Sequence, residues 1–154
     1  MPLQQHWLMK SEPDVFGLDD LQRGGTTWWD GVRNYQARNF MRDNMQVGDA
    51  VLFYHSNAKP SGVAGLARIS AAATPDASSW NPDSEYFDPK SSPQAPRWWH
   101  VQVAYVSHFK RLVPLAELRD IPELADMALL NRSRLSIQPV SPAHYDIICQ
   151  LGQC

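Results

Sequence analysis

Cysteine is scarce in this sequence, and the two cysteines stand near its C-terminal end. Of 154 residues, only Cys149 and Cys154 carry thiols. A metal site needs several cysteine or histidine ligands at short spacings, and this pair has no such companions. We therefore expect two reduced thiols in a cytoplasmic protein that binds no metal and needs no cofactor.

Long hydrophobic runs are missing as well. No apolar stretch approaches the ~20 residues that cross a bilayer, so we expect no membrane partner. The first ten residues, MPLQQHWLMK, lack the basic start and the apolar core of a secretory signal.

The sequence also lacks an excess of positive charge. Its 14 lysines and arginines and 16 aspartates and glutamates give a formal net charge of -2. A protein that holds nucleic acid mainly by neutralising phosphates is clearly basic. Any contact with nucleic acid must therefore depend on a local basic patch together with a pocket.

Signatures of common catalytic sites are absent from the sequence. It contains no G-x-S-x-G, no P-loop and no G-x-G-x-x-G. His55 stands next to Ser56, but adjacent residues in a strand point to opposite faces and do not easily form a base and nucleophile pair. We predict that the protein is not an enzyme. An enzyme acting on nucleic acid stays as an alternative that depends on this pair.

The length and the hydrophobic pattern predict one α+β domain over residues 1–154. A chain of this length can enclose one full core. Strands are predicted over 6–9, 50–54, 62–69, 98–109 and 135–140, with short helices between them. Because several strands arrive through non-adjacent connections, we expect a small twisted, mostly antiparallel β-barrel with peripheral helices.

Aromatic and arginine side chains are concentrated in residues 28–38, which read WWDGVRNYQAR. Flat rings and guanidinium groups stack on planar ligands, so Trp29, Tyr35 and Trp98 are candidate walls of a pocket. The alternative is that these rings belong to the core. We assign Trp28, like Trp80 and Trp99, to packing.

Three further candidates have polar side chains. Lys10 and Ser11 follow a strand and precede Pro13, where they can present an ammonium and a hydroxyl to a phosphate or to a ring edge. The alternative is a solvated strand end. Asn34 has a donor and an acceptor that suit a base edge, and it equally suits a helix cap.

Arginines supply the candidate phosphate contacts, which are Arg33, Arg38 and Arg134. Arg33 has an alternative partner in Asp30 across the turn, and Arg134 has the alternative of an exposed turn. The long irregular segment 74–96 contains five of the twelve prolines, and segments of that length are usually functional or mobile. Its aromatic residues indicate that it packs back on the body.

Six stretches, in one order along the chain, resemble the EVE-domain family. They are HWLMKSEP (6–13), DDL (19–21), WDGVRNYQAR (29–38), VGDAVLFYHSN (47–57), DPKSSPQAPRWW (88–99) and RLSIQPV (134–140). The resemblance implies a PUA-like fold that is similar to YTH domains, which read methylated adenine through an aromatic cage. It also implies roles for single residues: Lys10 and Ser11 at a pocket mouth, Trp29 and Trp98 as walls, and Asn34 and Tyr35 as an edge contact and a further wall.

From these features we predict a non-catalytic module that recognises a modified base, for example a methylated one, in DNA or RNA. The base enters the aromatic pocket and the arginines meet flanking phosphates. The alternative is a receptor for a free nucleoside, a nucleotide or an anion in the same pocket.

Overall fold

The computed structural model describes residues 4–132 and 135–152. The predicted phosphate contact Arg134 and the thiol of Cys154 lie outside the described residues. Within these ranges six strands are formed: His6–Ser11 (β1), Thr26–Trp28 (β2), Ala50–His55 (β3), Gly62–Pro75 (β4), Trp99–Pro114 (β5) and Ile137–Val140 (β6).

The strands form one sheet in the order β2-β5-β4-β3-β1-β6. β1 runs parallel to β3, and each of the other neighbouring pairs is antiparallel. Pro139 lies in β6, an edge strand, where the amide that proline lacks is not needed for a second ladder. The predicted α+β fold with a mostly antiparallel sheet is confirmed.

Short helices surround the sheet. They are Pro13–Phe16 (α1), Leu18–Gly24 (α2), Tyr35–Asn39 (α3), Leu115–Arg119 (α4), Ala128–Asn131 (α5) and Pro142–Gly152 (α6). α3 continues directly into a π-helical turn, Phe40–Asn44. The cap predicted at the start of α3 is confirmed, because the side-chain oxygen of Asn34 accepts a hydrogen bond from the Ala37 amide at 2.9 Å.

The two longest strands, β4 and β5, bend along their length. Their pairing shifts register at several points, and such bulges give a sheet the curvature of a small barrel. β4 approaches β5 so closely that a Cβ at Gly65 would lie 2.3 Å from the Ser107 carbonyl oxygen. Glycine is therefore required at this crossing.

The sheet is covered on both faces. Trp7, Met9 and Phe53 pack on one face, while Leu8 and Leu52 pack on the other against residues of α4, α5 and α6. This pattern follows from the alternation of side chains along a strand. At the end of β1 the same alternation sends Lys10 and Ser11 to opposite faces, and the candidate site lies around this strand end.

Candidate functional site

A cavity of about 540 Å³ lies where the end of β1 meets the segment that follows β2. Its walls come from residues 10–12, from α1, from residues 27–33, and from Tyr86 of the long loop between β4 and β5. The volume lies within the ~300–1,000 Å³ that is typical of small-ligand sites. We refer to it as the first cavity.

Four aromatic residues line the first cavity: Phe16 of α1, and Trp28, Trp29 and Tyr86, which are the candidates for stacking on a ligand. Trp29 is buried and meets Phe53 edge-on, with ring centroids 5.5 Å apart. Trp28 is 39% exposed and stacks on His100 at 4.6 Å. The predicted wall residue Trp29 therefore does border a cavity beside Lys10.

Two of these walls were not predicted from the sequence. We assigned Trp28 to packing, and it does stack on His100, but it is also partly exposed and borders the cavity. Tyr86 lies over Gly31, where a Cβ would be 2.6 Å from the tyrosine ring and where φ is +75°. The signal for Tyr86 was the aromatic content of its loop, which predicted packing on the body but not against this turn.

Tyr35 and Trp98 do not line the first cavity. Their rings stack on each other with centroids 4.8 Å apart and planes 24° apart, so no third ring fits between them. Trp98 is 5% exposed, and its indole N–H donates to Asp88 at 2.7 Å. The expectation that Trp29, Tyr35 and Trp98 converge on one slot is wrong. The ligand contact predicted for Tyr35 and Trp98 stays a prediction that this geometry does not support.

Asn34 is likewise absent from the lining of the first cavity. Its side-chain oxygen is engaged by the amide of Ala37 in the helix cap described above. The base-edge contact predicted for Asn34 stays a prediction, and the cap is the interaction that is observed.

Arg33 binds the loop that carries Tyr86. Its guanidinium donates to the Tyr86 carbonyl oxygen at 2.5 and 3.1 Å and pairs with Asp76 at 3.4 Å. The alternative pairing with Asp30 is not the one observed. The group also lies over the Trp98 ring, 5.3 Å from its centroid. The phosphate contact predicted for Arg33 stays a prediction, since much of its donor capacity is used within the protein.

Arg38 has a comparable role at the other end of this loop. It donates to the Arg97 carbonyl oxygen at 2.9 Å and lies over the Tyr35 ring at 4.7 Å. It also donates to the side-chain oxygen of Asn39. The predicted phosphate contact of Arg38 is untested, and the observed interactions fasten the loop to α3.

Asp76 is the buried anchor of this region. Its carboxylate accepts from the Gly31 amide at 3.0 Å and from the amide and hydroxyl of Ser78 at 3.0 and 2.5 Å. Burial acts to raise the pKa of Asp76, but these hydrogen bonds and the charge of Arg33 hold it below its usual value. Asp76 is therefore a satisfied anion that fixes the turn between Trp29 and Arg33.

Asp30 lines the first cavity and has a different environment. Among the described residues, its carboxylate accepts no hydrogen bond from another residue. Burial, followed by the charge of Asp76, raises the pKa of Asp30 above its ordinary value. The side chain thus brings two acceptor oxygens with unused capacity to the cavity.

Lys10 and Ser11 both border the first cavity, as the sequence predicted. The Ser11 hydroxyl donates to the Phe16 carbonyl oxygen at 2.5 Å, which ties β1 to α1. Burial lowers the pKa of the Lys10 ammonium, whose nitrogen lies 5.8 Å from the centroid of the Tyr54 ring.

A second cavity, of about 420 Å³, opens on the other side of residues 10–12. It shares Lys10, Ser11, Glu12 and Ser136 with the first cavity. The strand end of β1 is therefore a wall between two open spaces.

His55 and Ser56 are not arranged as a base and a nucleophile. The ring nitrogen Nε2 of His55 accepts a hydrogen bond from the Leu18 amide at 3.1 Å, and burial lowers the pKa of this imidazole. Ser56 instead borders the second cavity. The structure gives the enzyme alternative no support at this pair.

The described ranges, 4–132 and 135–152, contain neither a metal-binding cluster nor a membrane-spanning helix. Within them no three histidine, cysteine, aspartate or glutamate side chains lie close enough together to hold a metal ion. Within the same ranges no helix has the length and the apolar character needed to cross a membrane.

Comparison with known proteins gives the family. Residues 5–151 match the EVE domain. The chain belongs to the EVE-domain family. Human thymocyte nuclear protein 1 is 42% identical to this EVE domain over 170 residues, which cover 98% of the chain and 75% of the human protein. The resemblance of the six sequence stretches is thus confirmed.

Solved structures of relatives have the same fold as this EVE domain. A hypothetical protein from Leishmania major superposes with a TM-score of 0.94 at 47% identity, covering 98% of this chain and 96% of that one. Human THYN1 protein, whose structure is a complex with DNA that contains 5-methylcytosine, superposes with a TM-score of 0.92 at 41% identity. That match covers 98% of this chain and 99% of the human chain.

Proposed function

We propose that this EVE domain binds DNA that carries a modified base, with 5-methylcytosine as the first candidate, and performs no chemistry on it. The observation that carries the proposal is the first cavity, an open space of about 540 Å³ beside Lys10 with two tryptophans and a tyrosine in its walls. Support comes from a human relative, 41% identical, whose structure is a complex with DNA containing 5-methylcytosine.

The first cavity suits one base that has left the helical stack. Stacking of a base on aromatic side chains contributes ~1–3 kcal/mol, while extrusion of a base from a duplex costs a few kcal/mol. Stacking on Trp28 or Trp29 alone therefore only offsets the extrusion. Contacts with the base edge and with the flanking backbone must supply the remaining affinity.

A methyl group at position 5 of cytosine adds apolar surface that the aromatic walls can bury. One methyl or methylene group in an apolar site contributes ~1–3 kcal/mol, which corresponds to a preference of about 5-fold to 150-fold over unmodified cytosine. This range bounds the selectivity that the first cavity can provide.

The negative net charge keeps the affinity for unmodified DNA low. With a net charge of -2 the chain gains little from general attraction to phosphates. For a protein that neutralises few phosphates, the logarithm of the affinity falls gently with the logarithm of the salt concentration, by ~0.9 for each phosphate. The base in the first cavity, and not the phosphate backbone, is then the main source of specific binding.

The test is a titration of the protein with two duplexes that differ in one 5-methyl group on cytosine. We expect tighter binding of the methylated duplex by at least about 5-fold. Equal affinity for the two duplexes, or no binding of either, overturns the proposal. A matched pair of RNA strands, and the free 5-methylcytosine nucleoside, belong in the same series. Binding of the nucleoside as tight as that of the duplex would favour a small-molecule receptor.

A further inference from the structure

The second cavity has a lining suited to an anion. Its polar groups are the hydroxyls of Tyr54 and of four serines and the side-chain amide of Asn57, and its charged groups are Lys10, Glu12 and Arg119. Two cations face one anion, so the local charge is positive although the chain as a whole is acidic.

Arg119 is the cation with unused capacity. It stands at the end of α4 and is exposed to solvent at the second cavity. Within residues 4–132 and 135–152 its guanidinium makes no hydrogen bond and no ion pair. Its positive charge interacts electrostatically with Tyr54. Glu12, the acidic residue of the lining, accepts a hydrogen bond from the Asn57 amide at 3.3 Å and does not neutralise Arg119.

Lys10 connects this cavity to the first one. In the pairing of β1 with β3, Lys10 stands opposite Tyr54, and its ammonium lies on the Tyr54 side of the sheet. Ser11, the next residue, turns toward α1 and the first cavity. Because Lys10 and Ser11 line both cavities, groups at this strand end can touch adjacent parts of one ligand.

We propose that the second cavity is a phosphate subsite, which receives a phosphate of the same strand whose modified base occupies the first cavity. Arg119 donates two parallel hydrogen bonds to the phosphate oxygens, and the Ser56 hydroxyl completes the contact. This inference rests on the proposed function, because it assigns the second cavity to the same nucleic-acid ligand.

The experiment compares a nucleoside with its monophosphate. The probes are 5-methyl-2′-deoxycytidine, its 5′-monophosphate and inorganic phosphate, each titrated into the protein by NMR. We expect the monophosphate to bind about tenfold more tightly than the nucleoside, since hydrogen bonds to charged groups are strong. In Arg119→Gln that advantage disappears while the nucleoside affinity is unchanged. Arg68→Gln is the control, since Arg68 is exposed on β4 and lines neither cavity.

Salt dependence gives a second readout with methylated duplex DNA. Arg119→Gln should reduce the slope of log affinity against log salt by about 0.9, the value for one phosphate contact. An unchanged slope together with an unchanged monophosphate advantage overturns the phosphate subsite. A different result would contradict the proposed function alone. In that case the wild-type protein binds methylated and unmethylated DNA equally, but its binding of inorganic phosphate still depends on Arg119.

Asp30 is a candidate partner for the edge of a base in the first cavity. Asp30 lines the first cavity, and its carboxylate accepts no hydrogen bond from another described residue. Arg33, its neighbour in the turn, is committed to Asp76 and to the Tyr86 carbonyl oxygen. A ligand in this cavity is therefore expected to donate a hydrogen bond to the Asp30 carboxylate.

We infer that Asp30 selects bases with an exocyclic amino group, and that it accepts a hydrogen bond from N4 of cytosine. Acidic side chains pair with the cytosine amino group in this way in protein–DNA complexes. This inference also rests on the proposed function, since it names the edge by which the base is read.

Thymine is the matched probe, because it has the same 5-methyl group but an acceptor oxygen where 5-methylcytosine has the amino group. We titrate single-stranded oligonucleotides that differ at this one base, so that no pairing energy enters. Wild-type protein should prefer 5-methylcytosine by about tenfold, because bound thymine would cover the carboxylate and set an acceptor oxygen against it in place of a donor. Asp30→Asn should narrow or reverse this preference, because an amide can also donate. Asp83→Asn, at an exposed loop position, should leave it unchanged.

Equal binding of the two bases by the wild-type protein overturns the role of Asp30 but leaves methyl recognition intact. An unchanged preference in Asp30→Asn overturns it as well. Loss of binding to both bases in the wild-type protein contradicts the proposed function itself.

Discussion

Two groups of aromatic residues stand side by side in this structure and differ in what covers their rings. The open wall consists of Trp28, Trp29 and Tyr86 around the first cavity. The closed stack consists of Tyr35 and Trp98, in contact with each other at 4.8 Å. Both groups combine large rings with nearby arginines, so composition alone does not distinguish them.

The arginines account for part of the difference, although Arg33 also lies over Tyr86 of the open wall, 5.6 Å from its ring centroid. In the closed stack, Arg38 lies over Tyr35 at 4.7 Å and Arg33 lies over Trp98 at 5.3 Å, so the protein's own cations occupy the positions around the rings. In the open wall, Trp28 has His100 on one side and the cavity on the other. A ring binds a ligand only where the chain leaves one of its faces uncovered.

The largest effect on stability is expected from Trp98→Ala, a substitution in the closed stack. We expect a loss of about 3–5 kcal/mol in the free energy of unfolding, because a buried tryptophan leaves a large cavity and Asp88 loses its donor. Urea denaturation measures the loss. Phe87→Ala, in the same loop but exposed, should change stability by less than about 0.5 kcal/mol. A small effect of Trp98→Ala would show that the stack is not structural.

Asp76→Ala tests the anchor between the two groups. The carboxylate holds the Gly31 amide and Arg33, so its removal leaves a buried donor and a cation without their acceptor. We expect a loss of about 3 kcal/mol in the free energy of unfolding. The control is Asp83→Ala, at an exposed position of the same loop, which should be close to neutral. If both variants unfold at one urea concentration, Asp76 is not an anchor.

Trp28→Ala should have the opposite profile from Trp98→Ala. Because Trp28 is 39% exposed, we expect stability to fall by less than about 1 kcal/mol. Affinity for methylated DNA should fall by ~1–3 kcal/mol, the contribution of one stacked base. Fluorescence anisotropy with a labelled duplex measures the affinity, with Phe87→Ala again as the control. Unchanged affinity would show that Trp28 does not contact the DNA. The open wall and the closed stack would then not differ in function.

Much of the fold could be predicted from the sequence, because hydrophobic patterns and turn residues act locally. The predicted strand 50–54 appears as β3, buried on both faces, and the cap at Asn34 is formed as expected. Predicted lengths were less accurate. The strand predicted over 62–69 runs to Pro75, since β4 continues to pair with β5 beyond the apolar segment on which the prediction rested.

The site could be predicted only in part. Lys10, Ser11 and Trp29 border the first cavity, as expected from their position near the ends of strands. The placement of Tyr35 and Trp98 could not be derived, because it depends on how the loop 76–98 returns to α3 through Arg38 and the Arg97 carbonyl. The same long-range packing brings Tyr86 to the cavity, and no local pattern encodes such a contact.

The last and smallest effect is expected at Asp30, a charged residue that lines the first cavity. Burial and the charge of Asp76 raise the pKa of Asp30 in the folded state. The unfolded chain therefore releases this proton at a lower pH, and stability is lost as the pH rises from the ordinary aspartate range through the raised pKa. Above that range, ionised Asp30 destabilises the protein.

Asp30→Asn removes this charge, so we expect the variant to unfold at a slightly higher temperature than the wild type near neutral pH. The gain should stay below about 1 kcal/mol, because the carboxylate is largely exposed to solvent and its interactions are screened. Thermal unfolding from about pH 4 to about pH 8 measures it, and the difference between the two proteins should shrink toward the acidic end. A variant that is less stable at neutral pH would show that Asp30 stabilises the fold. A more stable variant that binds methylated DNA less well would show that this carboxylate lowers stability but is needed for binding.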